Sequence, residues 1–361
     1  AKPTTSHFIA HCRSQLTTPL ISVIGSAKPK TAHMEGPSDM PVRLAFARNT
    51  WQVPHAAQAI LVFLFGAVLG TQATGAPYDV REIAPGVFVH EGRYELFTPS
   101  NSGDVSNTGF IIGRDGVAVI DTGGSPRVGA ELLKAIRART DLPIKYVINT
   151  HMHPDHVFGN AAFEDEKPTF VGHHKLPRAL AARADRYLKA NEELLGEEAF
   201  DGTQIIPPTL LVEDKLELDL GGRVVILEAH KTAHTDNDVT VYDKQTGTLF
   251  LGDLLFVKHV PALDGSIRGW LALLDQLSQR KDVARVVPGH GPASVDWPNA
   301  LATEKRYLAR IADDVRAFIK QGRTLAQAAK EAGLSEKDAW LLFEEYHARN
   351  VSAAFAELEW E

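Results

Sequence analysis

From Tyr78 onward the chain alternates short apolar runs of strand character with longer stretches of helical spacing. Residues 86–90 (GVFVH), 108–112 (TGFII) and 117–120 (VAVI) read as strands, with the turn signal Arg114-Asp115-Gly116 between the last two. Residues 127–139 follow as a helix with Val128, Leu132, Leu133 and Ile136 on one face, and 144–149 (IKYVIN) as another strand. A second cycle starts after a long helical stretch at 176–195. It has strands at 215–220 and 223–229, a hairpin around Lys244-Gln245-Thr246-Gly247, a helix near 268–279 and a strand at 285–288. Residues 299–346 read as helical throughout. Two groups of strands, each closed by a helix, predict an α/β fold of two packed sheets with outer helices, an αββα sandwich, and argue against a doubly wound parallel sheet.

Upstream of this pattern the chain changes character. No Asp, Glu, Lys or Arg occurs between Arg48 and Asp79, and Ala59 to Leu69 (AILVFLFGAVL) is apolar apart from Gly66. Arg43 and Arg48 precede that run, and Ala73, Thr74, Gly75 and Ala76 follow it. A basic flank, an apolar run too short to span a bilayer and a small-residue site describe a secretory signal. Cleavage is expected after Ala76, with Ala73 as the second choice, and Met40 makes a natural start. The predicted organisation is an upstream segment at 1–42 absent from the mature protein and a signal peptide at 43–76. The main domain follows at 77–298, with a helical extension packed on it at 299–361.

Composition narrows the function. Apolar residues make up 44% and charged residues 23%, so a large buried core is expected. The net charge is −7, and it becomes −11 once six basic and two acidic residues upstream of Pro77 are removed. An acidic protein lacks the basic face a nucleic-acid binder needs, so no nucleic-acid partner is expected and the membrane is met only through the export signal. The single cysteine, Cys12, excludes an intrachain disulfide and a cysteine zinc site. A mature chain without cysteine suits an oxidising periplasm. Any transition metal must be held by nitrogen and oxygen.

The 15 histidines cluster. INTHMHPDHVFGN places His151, His153, Asp155 and His156 directly after a strand, and Pro154 forces the chain to turn there. Three imidazoles and a carboxylate so close together suit borderline dications, zinc above all, and strand-end loops are where binding residues concentrate. His234 in AHTDND, Asp253 in LFLGDLLF and His290 in VVPGHGP each follow an apolar run beside a small residue, so four strand ends are expected to converge on one edge. His230 and His259 are candidate substrate contacts. His173 and His174 read as an exposed loop pair, and Arg268, Trp270 and the 261–269 loop as a cover over the pocket mouth. No GxSxG elbow, GxxxxGK loop or GxGxxG fingerprint offers a competing chemistry.

The order THxHxDH, a lone histidine, GD and then PGHG resembles the metallo-β-lactamase superfamily across residues 80–295. That resemblance implies one metal on His151, His153 and His234, a second on Asp155, His156 and His290, and Asp253 bridging both. It also implies that Asp121, in VAVIDTGG, supports the centre from behind its ligands. The cofactors so implied are two zinc ions per chain, with iron or manganese the other metals the donors admit. Metal binding lowers the pKa of water from 15.7 to about 7, and Asp155 is placed to orient the resulting hydroxide and move a proton.

Asp253 separates branches. Dedicated metallo-β-lactamases carry cysteine or serine there, whereas glyoxalase II, lactonases and related hydrolases carry aspartate. Further segments, among them FVGHHKLPRALAAR, PPTLLVEDKLELDLGG, GDLLFVKHVPALDGSIRGWL and AFAELEWE, resemble the quinoprotein relay system zinc metallohydrolases of type 2, relatives of a sulfur-oxidation metallohydrolase. The resemblance implies export, a small-molecule substrate and a link to dehydrogenases using pyrroloquinoline quinone (PQQ). The reaction expected is hydrolysis of an ester, thioester or amide-like bond. The competing readings are a mononuclear iron persulfide dioxygenase, a weak β-lactamase and a non-catalytic metal-binding accessory protein.

Overall fold

Strict alternation along the central strands builds the layers. Phe110, Val117 and Val119 face one apolar cluster, while their neighbours Ile111, Ala118 and Ile120 face another. The computed structural model describes residues 78–361. Segments 1–42 and 43–76, and Cys12 with them, lie outside the described residues.

The first sheet runs in spatial and chain order through β1 (Val80–Ala84), β2 (Val87–His90), β3 (Thr108–Ile112), β4 (Val117–Ile120), β5 (Ile144–Ile148), β6 (Thr169–His173) and β7 (Leu210–Val212). Its first four strands pair antiparallel and β4 to β7 pair parallel. The second sheet contains β8 (Lys215–Asp219), β9 (Val224–Ala229), β10 (Val239–Asp243), β11 (Thr248–Phe256) and β12 (Arg285–His290) in the order β12-β11-β10-β9-β8. Only the β11–β12 pair is parallel in that sheet. The helices are α1 (Pro126–Arg137), α2 (Pro154–Val157), α3 (Leu176–Phe200), α4 (Ile267–Ser278), α5 (Leu301–Lys320), α6 (Leu325–Glu331) and α7 (Phe343–Leu358).

Three apolar interfaces separate the four layers. Leu132 and Ile136 of α1 cover the outer face of the first sheet together with Phe110 and Val147. Ile111, Ile120 and Ile148 meet Leu227, Val241 and Phe250 between the sheets. Trp270 and Leu274 of α4, with Tyr307 and Leu308 of α5 and Phe355 of α7, close the outer face of the second sheet. The αββα sandwich is thus observed. Buried Arg223 pins the sheets together: it donates to both carboxylate oxygens of Asp243 at 3.0 and 2.7 Å and to the Ile112 carbonyl at 2.9 Å. Such a pair holds only while every donor finds an acceptor.

Helix starts follow local chemistry. Ser125 accepts from the Val128 amide ahead of Pro126, and Ser266 accepts from the Gly269 amide at 2.9 Å. The expectation of one helical stretch at 299–346 is corrected. The chain leaves the helix after Lys320, re-enters it at a Thr324–Gln327 capping box, and passes Trp340 to Leu342 as non-helical backbone before α7. The helical periodicity was continuous, but it could not mark where the axis turns. Strands β1 and β7 also escaped the pattern, because their residues do not alternate cleanly.

Helix α7 braces the loop after β11. Asn350 accepts from the Leu263 amide at 2.9 Å, and Glu357 accepts from the Ser266 hydroxyl at 2.7 Å and the Ile267 amide at 2.8 Å.

Candidate metal centre

Strand β5 ends at Ile148, and the next residues cross the edge of the first sheet before Pro154 opens the single turn of α2. That turn carries Asp155 and His156, while His151 and His153 lie on the approach to it. His234 sits in the loop between β9 and β10, and His290 closes β12. Asp253 differs from expectation: it lies inside β11, not at its end. Its neighbour Gly252 takes φ +52° at a register shift against β12, and a Cβ there would meet the Thr150 hydroxyl at 2.6 Å. The irregularity aims a carboxylate out of a fully buried strand.

The seven side chains converge as two groups, one of His151, His153, His234 and Asp253 and one of Asp155, His156 and His290. His151 Nε2 and His234 Nε2 each lie 3.0 Å from His153 Nδ1. In the second group Asp155 Oδ2 lies 3.3 Å from His156 Nε2 and 3.2 Å from His290 Nε2. Asp253 reaches both groups. Its Oδ1 is 3.1 Å from His156 Nε2, and its Oδ2 is 3.4, 3.5 and 3.7 Å from the Nε2 atoms of His290, His234 and His151.

The outer nitrogen of every ring faces an acceptor. His234 Nδ1 donates to the Ala262 carbonyl at 2.6 Å and His290 Nδ1 to the Val105 carbonyl at 2.9 Å. His156 Nδ1 donates to Asp121 at 2.8 Å and His153 Nε2 to Asp264 at 3.2 Å. The Thr150 hydroxyl gives its proton to Asp121 at 2.8 Å and receives that of His151 Nδ1 at 3.1 Å. These acceptors draw a proton to the outside of each imidazole and turn a lone pair inward, the arrangement metal-ligating histidines adopt. His156 Nε2 and Asp253 Oδ1 are buried without a hydrogen-bond partner. Orphaned buried polar atoms are rare, and two that face each other among five imidazoles fit a cation. The donor set therefore fits divalent metal, and an all-nitrogen-and-oxygen set suits zinc.

Electrostatics agree. Burial pulls His234 down to about 3 and His151 well below the usual imidazole range, so both rings stay neutral as ligation requires. Burial acts the same way on His290, but Asp253 and Asp155 outweigh it and raise the ring to about 9. On that side a proton and a metal compete for the same nitrogen.

Asp121 acts through His156 and Thr150. Its Oδ1 accepts from the Thr150 amide at 2.8 Å and its Oδ2 from His156 and the Thr150 hydroxyl, so three donors need a full carboxylate. Its φ is +53°, a conformation that asparagine tolerates as readily as aspartate. Asp121→Asn thus isolates the hydrogen bonds from the backbone, and it is expected to weaken metal affinity roughly 10–100-fold in a chelator competition titration.

The model for the metallo-beta-lactamase superfamily matches residues 101–290, more than half of the chain. The chain belongs to that superfamily. Two curated relatives are similar to it: a linear primary-alkylsulfatase of a Pseudomonas species, 36% identical over 216 residues covering 49% of this chain and 40% of the relative, and a beta-lactamase-like protein 2 homolog of Caenorhabditis elegans, 24% identical over 185 residues covering 51% and 55%. The chain spans about half the length of these relatives. Among solved structures, a metallo-beta-lactamase from Pontibacter korlensis matches with TM-score 0.53 and 23% identity, covering 64% of this chain and 98% of that one. A sec-alkylsulfatase from Pseudomonas sp. matches with TM-score 0.60 and 17% identity, covering 78% and 50%. These likenesses show the fold. Superfamily membership and the alkylsulfatase and beta-lactamase relatives support a metal-dependent hydrolase.

All seven candidate donors lie within the matched segment, but the cavity beside them does not stop there. A cavity of about 350 Å³ opens on Asp155, Asp253 and His290, and α7 contributes Tyr346 and Arg349 to its wall. His259 lines it, buried, with its ring centroid 4.9 Å from that of His290. His230 does not: its Nε2 pairs with the Thr240 hydroxyl at 2.9 Å beside a separate groove. His173 is buried at the end of β6 and contacts the His230 carbonyl at 3.2 Å, which corrects the reading of an exposed pair. The 261–269 loop does reach the cavity, through Ala262 and Asp264, but Trp270 is core and Arg268 pairs with Glu357 at 3.0 Å. Asp264 is the site residue the sequence concealed, since a lone aspartate in ALDGS carries no spacing to its partners. It accepts from His153 and, at 3.1 Å, from Arg349. Burial alone would raise its carboxyl; His153, Arg349 and Arg183 together hold it well below the ordinary range.

Proposed function

We propose that this chain is an exported, binuclear zinc hydrolase that cleaves an ester, thioester or amide-like bond in a small molecule, in the setting of PQQ-dependent dehydrogenase metabolism. The observation that carries the hydrolase reading is the convergence of seven donors whose outer hydrogen bonds fix every imidazole with a lone pair inward. His151, His153 and His234 would hold one metal, Asp155, His156 and His290 the other, and Asp253 would touch both. Two bound dications supply acidified water and polarisation of the scissile group. The chain's own residues do the rest. Asp155 stands at the cavity wall, where it would orient the nucleophile and move a proton near the reacting atoms. Val105, Ala262, Asp121 and Asp264 keep the imidazoles from rotating. The alkylsulfatase relative adds sulfate esters to the bonds worth assaying. Export is supported by the apolar run at Ala59 to Leu69 and its flanks, and the quinoprotein setting by the segments from FVGHHKLPRALAAR to AFAELEWE.

Metal content tests this reading directly. Protein purified without added metal is expected to hold about two zinc ions per chain, with iron and zinc quantified together. A single iron per chain would overturn it in favour of oxygen-dependent persulfide chemistry.

A further inference from the structure

The wall opposite the donors has a composition the metal chemistry does not require. One stripe of α3 lines the cavity with Arg183, Arg186, Tyr187, Asn191 and Leu194, residues three or four apart and so on one helix face. Three of the four carboxylates in the cavity face imidazoles or a guanidinium, Asp155 and Asp253 the imidazoles and Asp264 His153 and Arg349, while the fourth, Glu95, accepts from the Asn101 side-chain amide at 3.1 Å. Among the described residues neither Arg183 nor Arg186 closes a direct ion pair, although Arg183 is near enough to Asp264 to lower its carboxyl. Two guanidiniums on successive turns of one helix repel each other, and turning both into a cavity raises its potential for anions. Arginine's planar fork matches an oxyanion bidentately. At the other end of the stripe, Leu194 is 51% exposed; Leu96, 43% exposed, and Phe97 line the same cavity. Leucines left open at a pocket mouth mark a place for apolar ligand surface.

We propose that α3 forms a substrate-anchoring subsite: Arg183 and Arg186 grip an oxyanion, carboxylate or sulfonate in type, that is separate from the scissile bond, while Leu96, Phe97 and Leu194 hold an apolar segment. The substrate is thus an anionic, partly apolar ester or thioester small enough for a cavity of about 350 Å³. Arg349 is left out of the grip because Asp264 occupies it. This inference rests on the hydrolase reading for its substrate class, though not for its binding.

The test compares holoenzyme with Arg183→Gln/Arg186→Gln, after metal content and thermal stability confirm that both carry the same centre. The neutral 4-nitrophenyl butyrate and the anionic 4-nitrophenyl hemiglutarate are hydrolysed in parallel. Wild type is expected to prefer the anionic ester by about tenfold or more in kcat/KM, the range of a charge-assisted contact, and the variant to lose that preference through KM. Arg183→Lys/Arg186→Lys, which keeps charge without the fork, should recover part of it. Octanoate, octanesulfonate and neutral octanol are then titrated calorimetrically into both proteins, so that anion type is resolved and metal binding is common to both. Should neither ester turn over while octanoate binds through the arginines, the carboxylic-ester substrate class falls and the subsite stands. Anion binding equal in wild type and variant overturns the subsite whatever the turnover.

Discussion

On the proposed binuclear reading, Asp253→Ala is expected to lose bound metal on purification and to drop kcat/KM by roughly 10³-fold or more, beyond the 10²–10³ typical of removing one transition-state donor. The reason lies in its position. Asp253 is 4% exposed, projects from inside β11, and approaches Nε2 of four histidines drawn from both groups. His290 and His156 above all hold its carboxyl well below the ordinary carboxylate range against the opposing effect of burial. No other side chain among the described residues touches both groups in this way. Without it, two dications would face each other with no negative charge between them. Metal analysis on the variant, read beside turnover, checks the claim. Wild-type metal content with wild-type activity would show that Asp253 does not join the two halves.

Gly289→Ala is expected to damage the same centre without altering a ligand. A Cβ at Gly289 would sit 2.0 Å from Asp253 Oδ1, 2.6 Å from the Gly252 carbonyl carbon and 2.8 Å from the Asp253 amide nitrogen. Two of those atoms are backbone of the neighbouring parallel strand and cannot step aside. Either Asp253 swings away or the end of β12 lifts and takes His290 with it. Overpacking of this kind destabilises by about 1–3 kcal/mol, so calorimetry should show a lower Tm alongside reduced metal binding. An unchanged Tm and full metal occupancy would mean that β11 and β12 have more room than their spacing implies.

Both experiments concern residues visible in the sequence, and the reason is physical. His151, His153, Asp155 and His156 fall within six positions, so local spacing alone announces them. His234, Asp253 and His290 follow apolar strands, which deliver them to the same edge. The layered fold was legible through period-two alternation in strands such as β3 and β4. What stayed hidden depends on three-dimensional placement. Asp264 meets His153 across 111 positions, and Val105 offers only a carbonyl, which every residue has. Arg183 and Arg186 look like the solvated face of a long helix until α3 is laid across the cavity. His230 erred in the opposite sense, because nearness in sequence to His234 did not survive the turn of the backbone.

The brace between α7 and the 261–266 loop also sets an order in time. As the chain is made from its N-terminal side, both sheets and all seven donors exist once His290 has emerged. Yet the loop that presents Ala262 to His234 and Asp264 to His153 has no Asn350 or Glu357 to hold it until the last helix arrives some 50 residues later. Before that moment His234 and His153 would lack the braced acceptors that orient them, and a dication caught early would leave easily. On the proposed reading, durable metal capture is expected to be a closing event of folding, completed once α7 docks.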